Sequence, residues 1–525
     1  MRISFFYPIL GLSYLSPIFM SPWVSAFQDI CAIFALIILL SIQSYRKNIK
    51  IDKRVIYIFG LIAFIPLVQY LFGILFFTQE LVLSLIYISI FFLSIISGAN
   101  FNKSFKGIER LSIFFVFISL SCVLLQLIQW SGLYHSVLIL DSNSRRPFAN
   151  IGQPNNLATL LFIGFFSNIL LFKNNKIKMH FYILISATLM TGIVLTQSRT
   201  SWLVFIAVLF ITFLKNKLNL FSTMLKSSIA FLFLVLTLPY ITLFFHDQGL
   251  TVTERISSDS SRLYIWKQML IAIMDKPWFG YGWNQTSVAQ TSVTLKYPLN
   301  VWIEYSHNLF LDIIVWTGIP IGISIIAIII VWFLQTFKKI NTPNQLIYFL
   351  IITAFLIHCM LEYPFAYAYF LLPIGLYIGI LHQQVYETKK SKVKGLVITI
   401  VSILIVAAII ISRDYFLFNN KRTIYASENL FSQQVQPISS KILLLDALDI
   451  NNDILFLDEC YVLKNNKFID LKNSFYRYPT NKNLITYYKS AIYNNQNTQY
   501  PEKYMQKEYS NFKSSSEIYN NCSKL

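Results

Sequence analysis

His307, in the stretch EYSHNLFLDIIVWTGIP (304–320), is the residue of this chain best set to move a proton. Ser306 precedes an apolar run and reads as a helix N-cap, which puts His307 in the first helical turn. The partial positive charge of a helix N-terminus opposes a second cation, so the imidazole is expected to be neutral, as a general base must be. Glu304 lies close enough in sequence to orient the ring. A histidine at a helix end serves equally well as a cap or a hydrogen-bond partner, and spacing alone leaves both readings open. Of the other five histidines, His180 and His382 lie beside basic loops, His358 is inside an apolar run, and His135 and His246 begin loops without a comparable setting.

Four further stretches carry polar groups where the chain is otherwise apolar. In RRPFANIGQPNNLATLL (145–161), Pro147 and Pro154 pin turns, and Arg145, Arg146, Asn150, Gln153, Asn155 and Asn156 supply donors and acceptors. One reading is a hairpin loop with Asn155 or Asn156 capping the next helix. The other, favoured by the density of such groups, has the arginines facing phosphate and the amides meeting sugar hydroxyls. TQSRTSW holds Arg199 between two apolar runs, where an arginine costs roughly 2.5–3.5 kcal/mol on insertion scales. It either snorkels to the interface or serves a polar pocket with Gln197, Ser198 and Thr200; the flanking residues favour the pocket. Arg262 sits near the start of an amphipathic helix that suits the membrane surface, and is read as an anion ligand. The aromatic residues that follow, Trp278, Phe279, Tyr281 and Trp283, suit an interfacial belt. Glu362, Tyr363, Tyr367 and Tyr369 surround a proline turn in EYPFAYAY. Aromatic side chains that stack on sugars and those of an interfacial girdle look alike at this level; the carboxylate tilts the reading to binding.

The elements that must position these groups are membrane helices. The 525-residue chain is 55% hydrophobic and only 13% charged, where a soluble domain is nearer 25% charged. Apolar runs of spanning length recur about thirteen times, from 3–19 to 396–412. The first lacks the basic region and cleavage site of a removed signal and is taken as a span. Basic residues mark alternate loops: Arg46, Lys47, Lys50, Lys53 and Arg54 in one, Lys389, Lys390, Lys392 and Lys394 in another, none in 20–29, 76–79 or 363–366. This places the N-terminus in the cytoplasm. The net charge of +19 is therefore topology, and its scatter among short loops argues against nucleic acid.

The expected fold is an all-α polytopic membrane protein. A bundle over 1–245 carries an outer loop at 131–155, a long outer loop covers 246–307, further transmembrane helices cover 308–412, and residues 413–525 form a small helical outer domain. Cys31, Cys122 and Cys359 fall within spans; Cys460 and Cys522 are both in the outer domain, where an oxidising compartment would permit a disulfide between them.

Collected, these stretches resemble the PglL-type bacterial protein O-oligosaccharyltransferases, which belong with the O-antigen ligases and polymerases in one superfamily. RPFANIGQPNNLATLL looks like the family's most telling segment, SHNLFLDIIVWTGIP like the superfamily's histidine motif, and EYPFAYAYFLLPIGL like the block that closes the family's membrane domain. The resemblance covers nearly the whole chain, least so its extreme N-terminus and 413–525. It implies a glycan moved as a block from undecaprenyl diphosphate to Ser or Thr of an exported protein such as a pilin, at the periplasmic face of the inner membrane. In that frame His307 takes the acceptor's proton, Arg199 and Arg262 hold the diphosphate, and Gln153 and Tyr363 position the donor.

Forked guanidiniums can stabilise that leaving group without a metal or other cofactor, and no outer loop carries an acidic cluster such as DxD; metal independence is the expectation. A ligase acting on lipid A core, or a polymerase, keeps the fold and changes the acceptor. A transporter of lipid-linked glycans would need charges deep in the bundle, and the central spans carry almost none; a non-catalytic assembly scaffold has less support still.

Overall fold

The computed structural model describes residues 5–46, 48–101, 105–132, 136–141, 146–245, 261–299, 301–386, 390–430, 442–456 and 465–508. Arg145, His135, His246, Cys460 and Cys522 therefore lie outside the described residues.

The chain is almost entirely helical, and this is a multi-pass membrane protein. Among the described residues, nine helices are long and apolar enough to cross a bilayer. Shorter apolar helices occupy Phe6–Leu15, Met179–Leu195, Arg199–Leu214 and Pro343–Cys359. Burial sorts these elements into layers. Pro154–Lys173 is 94% buried along its span and Lys53–Leu71 only 11%, so the first is the axis of the bundle and the second faces its surroundings. Around that axis pack Phe105–Ser131, Met179–Leu195 and Pro343–Cys359. Thr78–Ala99 and Ala368–Val385 form the closest pair. A Cβ on Gly98 would meet the Leu376 carbonyl oxygen at 2.2 Å, and one on Gly379 the Ile95 carbonyl oxygen at 2.1 Å. In a membrane, where apolar burial gives helices little reason to associate, such small-residue contact lets backbones approach and dispersion act.

The apolar run 308–334 is not one span. It breaks at Gly318, whose φ of 80° is left-handed and whose Cβ, if present, would strike the Trp278 carbonyl. Leu309–Thr317 is thus a short separate helix that holds the His307 turn, and the span proper is Ile319–Lys339. Pro320 sits in its first turn, where a missing N–H costs nothing. At the opposite end of the bundle, Lys50–Asp52 and Lys390–Lys392 pair as an antiparallel ribbon, Ile51 opposite Ser391.

Helix Lys394–Leu430 continues through the change of composition near 413. Beyond it, Asp446–Phe456, Asn465–Arg477, Asn481–Tyr493 and Gln499–Glu508 form a helical cluster around Leu471, Phe475, Leu484 and Tyr488. This cluster is fastened to the His307 end of the bundle. The Asp446 carboxylate accepts from the Thr78 and Gln79 amides at 2.8 Å each, satisfying the exposed N–H groups of a helix start. Buried Arg477 donates from Nε to buried Glu80 at 3.1 Å and from Nη1 to Ser287 Oγ at 2.8 Å.

Candidate active site

The site is organised around one carboxylate. Glu362 follows helix Pro343–Cys359 and is 4% exposed. His307 Nδ1 lies 2.7 Å from Oε2, Asn155 Nδ2 donates to Oε1 at 2.9 Å, Gln153 Nε2 approaches Oε2 at 3.4 Å, and Arg262 Nη2 pairs with Oε1. Four groups from three distant stretches thus meet at a single residue. Burial alone would raise the Glu362 pKa. The hydrogen bond and charge of His307, then the charge of Arg262, reverse that and bring it from 4.5 to about 2. The carboxylate is ionised at neutral pH and can only accept. His307 Nδ1–H therefore donates to it, and Nε2 is the ring nitrogen turned away from the carboxylate.

Three loops hold this arrangement. The residue that caps Leu309–Thr317 is Asn308, whose side chain accepts from the Phe310 and Leu311 amides; Ser306 is not the cap. His307 stands ahead of the helix at φ 59°, and a carboxylate, not a helix turn, orients its ring. Asp312 fixes the turn from within, accepting from the Ser306 amide at 2.9 Å and the Thr286 hydroxyl at 2.8 Å. Trp266 Nε1 donates to the Ser306 carbonyl at 3.0 Å, tying the helix of Arg262 to the turn of His307. The loop before Pro154 is clamped by Gln129, which accepts from the Phe148 and Ala149 amides. Among the described residues, the non-glycine, non-asparagine positions with left-handed φ are Ala149, Gln197 and His307. Ala149 and His307 lie in these loops and Gln197 in the turn just before Arg199, and backbone strain of this kind persists where surroundings over-determine it.

The arginines gather on the Asn155 side. Arg146 donates from Nε to the Thr196 carbonyl and from Nη2 to Asn155 Oδ1, both at 3.0 Å. Burial, together with the fields of Arg199 and Arg262, lowers its pKa, against the pull of Glu362. Arg199 is exposed at the first position of its helix. Three guanidiniums thus share the neighbourhood of one buried carboxylate, a setting that favours an incoming anion.

The geometry corrects several sequence-based expectations. Glu304 is exposed and does not reach the hub; the carboxylate beside His307 is Glu362, which sequence distance concealed. Neither Asn155 nor Asn156 is a cap, since Gln153 holds that position. Asn150 faces backbone: it donates to the Leu15 and Leu138 carbonyls and accepts from the Leu140 amide. Tyr363 stacks on Tyr305 at 5.0 Å and meets the His307 ring edge-on at 5.0 Å. Tyr367 stacks on Tyr369 at 5.2 Å. Gln129, Thr286 and Asp312 were not singled out from the sequence. Asp312 had a signal, an acid inside an apolar run.

Two cavities flank the site. A large one of about 1380 Å³ is bordered by Gln153, Tyr305, Tyr363 and Arg477, and continues between helices past Ile58, Phe91, Ile328 and Trp332. A smaller one of about 470 Å³ is bordered by Tyr264, Leu299, Val301, Trp302, Glu304 and His307.

Comparison with known proteins finds relatives along most of the chain. Residues 181–326 match the family described as O-Antigen ligase, and residues 346–435 match the C-terminal part of the virulence factor membrane-bound polymerases. A ComP-specific O-oligosaccharyltransferase of Acinetobacter baylyi is 30% identical over 91% of this chain and 90% of its own length. A general O-oligosaccharyltransferase of the same organism is 32% identical over 84% of this chain and 80% of its own length. With a histidine and an arginine meeting a buried carboxylate at one end of a polytopic bundle and relatives of this kind along nearly its whole length, the chain belongs to the PglL-type O-oligosaccharyltransferases of the O-antigen ligase superfamily, and is a glycosyltransferase.

Proposed function

We propose that this chain transfers a preassembled oligosaccharide from undecaprenyl diphosphate to a Ser or Thr hydroxyl of an exported protein such as a pilin, at the periplasmic face of the bacterial inner membrane. The convergence of His307, Arg262 and Asn155 on Glu362 is the observation that carries this reading. His307 Nε2 takes the proton of the acceptor hydroxyl as its oxygen attacks the anomeric carbon. The bond from that carbon to the diphosphate oxygen breaks, its electron pair leaves with the diphosphate, and the proton passes from His307 to water or to the leaving group. Arg199 and Arg262, with Arg146, stabilise the growing negative charge; forked guanidiniums supply that stabilisation without a metal. Glu362 is a positioning residue in this scheme, a departure from the sugar contact first expected of it. Arg145, Gln153, Asn155, Tyr363 and Tyr367 remain donor-side candidates.

The large cavity supports a lipid-borne donor, since it runs from polar groups at Gln153 to apolar helix walls. Among the described residues, nine long and four shorter apolar helices support about thirteen crossings, and the alternation of basic loops supports a cytoplasmic N-terminus. The long loop 246–307 and the helices beyond 413 are read as periplasmic on the same ground.

The superfamily also contains enzymes that load lipid A core or extend a lipid-linked glycan; the names of both relatives favour a protein acceptor. Co-expression with a lipid-linked glycan pathway and candidate exported proteins, followed by mass spectrometry, separates these readings. The intact glycan on Ser or Thr of a protein is the expected product. Glycan found on lipid A core, or a lengthened polymer without protein modification, would replace the proposal with the ligase or polymerase. Activity should survive EDTA, and loss in EDTA with rescue by Mg²⁺ or Mn²⁺ would contradict the metal-free mechanism.

A further inference from the structure

The large cavity has a second polar end, remote from the His307 hub. It is bordered there by Arg54, Trp332, Gln335, His382 and Tyr386. Along Ile319–Lys339 a rise of about 1.5 Å per residue puts Gln335 roughly 24 Å from Ile319, so a headgroup held at the hub does not reach it. Between the two ends the walls are apolar, with Ile58 and Ile62 on one side and Ile328 and Val331 on the other. Those walls belong to Lys53–Leu71 and Ile319–Lys339, which are 11% and 17% buried along their spans. The two helices stand apart with the cavity between them. Val331 is 50% exposed, so this stretch is open to lipid.

The polar end is a built surface flanked by two cations. Asp52 Oδ2 accepts from Arg54 Nη2 at 3.0 Å and lies 3.2 Å from His382 Nε2. The His382 ring stacks on Tyr386 at 4.7 Å, and Lys339 Nζ stands 4.4 Å over the Tyr386 ring. Trp332 Nε1 donates to His382 Nδ1, and the Thr336 hydroxyl lies 3.1 Å from that of Tyr386. Arg54 commits Nε and Nη2 to Asp52. Among the described residues, its Nη1 has no hydrogen-bond partner and the Lys339 ammonium no anionic one. Both side chains are exposed, and so is Lys390, which stands opposite Asp52 in the ribbon. The alternation of basic loops accounts for positive charge on this side of the bundle, but not for its place at the mouth of a cavity.

We infer that this end of the cavity binds an anionic phospholipid from the leaflet at the ribbon end, with its phosphate between Arg54 and Lys339 and an acyl chain in the groove between Lys53–Leu71 and Ile319–Lys339. Nothing in this site depends on the transfer mechanism. Guanidinium and ammonium donors are the groups that hold phosphate oxygens, and basic pockets between transmembrane helices on the basic side of a membrane take lipid headgroups. His382 has both ring nitrogens engaged, so it is part of the floor and not a ligand. A zwitterionic lipid would bring a further cation to a place that already holds Arg54, Lys339 and Lys390, which sets the preference for net negative charge. The acyl chain fills a gap that protein side chains leave between the two helices.

The test uses the full chain, purified in detergent with equal amounts of phosphatidylglycerol and phosphatidylcholine, and reads retained lipid by native mass spectrometry. The parent should keep a phosphatidylglycerol in at least about fivefold excess over phosphatidylcholine. Arg54→Gln combined with Lys339→Gln should lower that retention by at least about fivefold. Lys339→Gln alone leaves the Asp52 cluster whole and should lower it by at least about twofold. Val331→Trp fills the groove without changing charge and should lower it by about fivefold. Lys217→Gln combined with Lys226→Gln removes two exposed charges away from the cavity and should keep retention within about twofold of the parent. Excess glycerol phosphate should not displace the lipid. Equal retention of the two lipids, unaltered retention in Lys339→Gln or in Val331→Trp, equal loss in the two charge-pair variants, or displacement by glycerol phosphate would overturn the assignment.

Discussion

Among the described residues, two histidine–carboxylate–arginine clusters stand one at each end of the bundle, and they differ in the surroundings of the second ring nitrogen. At the ribbon end, His382 Nε2 lies 3.2 Å from Asp52 Oδ2, Arg54 forks onto the same carboxylate, and Trp332 Nε1 donates to His382 Nδ1 at 3.2 Å. Both nitrogens of that imidazole are engaged, and the cluster ties Ala368–Val385 and Ile319–Lys339 to the start of Lys53–Leu71. At the other end, Glu362 engages Nδ1 of His307 and the far edge of the ring borders a cavity. A third histidine, His358, is fully buried, with Nδ1 on the Thr159 hydroxyl. A histidine beside a carboxylate is therefore a lock in one place and, in the function proposed above, a base in another. The deciding feature is a nitrogen left facing space that a substrate can enter.

This contrast can be broken by substitution. His307→Ala should lower transfer by about 10²–10⁴-fold, the usual contribution of a positioned base, with the protein still folded and membrane-inserted; full glycosylation by that variant would remove His307 from the mechanism. Glu362→Gln should lower turnover by at least about 10²-fold, through loss of ring orientation, and destabilise the hub by about 3–5 kcal/mol, as expected when one partner of a buried ion pair is removed. Because the Glu362 pKa is lowered to about 2, its stabilisation is fully present above its ordinary value of 4.5 and is lost as pH falls toward 2. Thermal unfolding of parent and variant in detergent should accordingly differ by a constant amount from pH 7 to 4.5 and converge below it. Arg199→Lys and Arg262→Lys should each cost roughly 10–100-fold, since a point charge does not reproduce the fork; unimpaired turnover of Arg199→Lys would mark that residue as an interfacial anchor. Smallest should be Asp52→Asn, which keeps turnover within about twofold while lowering stability by about 1–3 kcal/mol. A large loss of activity there would erase the distinction between lock and base.

Much of this was legible in the sequence because the bilayer forces it. A polar group among apolar runs costs free energy, so the stretches carrying Gln153, Arg199, Arg262, His307 and Glu362 declared themselves by composition. Apolar runs likewise announced the helices. Their assembly was not legible. Glu304, three residues from His307, was the natural partner by chain distance, yet the partner is Glu362, 55 positions away, because the helices between them return the chain to the same face. The N-cap shifted from Ser306 to Asn308 since both are good caps and the backbone at His307 decides between them. The break at Gly318 was hidden inside an unbroken apolar run, and became visible through its packing against Trp278.

The central claim is that His307 Nε2 deprotonates an acceptor hydroxyl while the glycan moves as a block. Single-turnover transfer from a defined lipid-linked oligosaccharide to a serine peptide, by purified parent and His307→Ala protein in nanodiscs and read by intact mass, tests it most directly. The account predicts one whole-glycan addition by the parent and a rate at least about 10²-fold lower in the variant. Equal rates in the two proteins, or stepwise addition of single sugars by the parent, would contradict it.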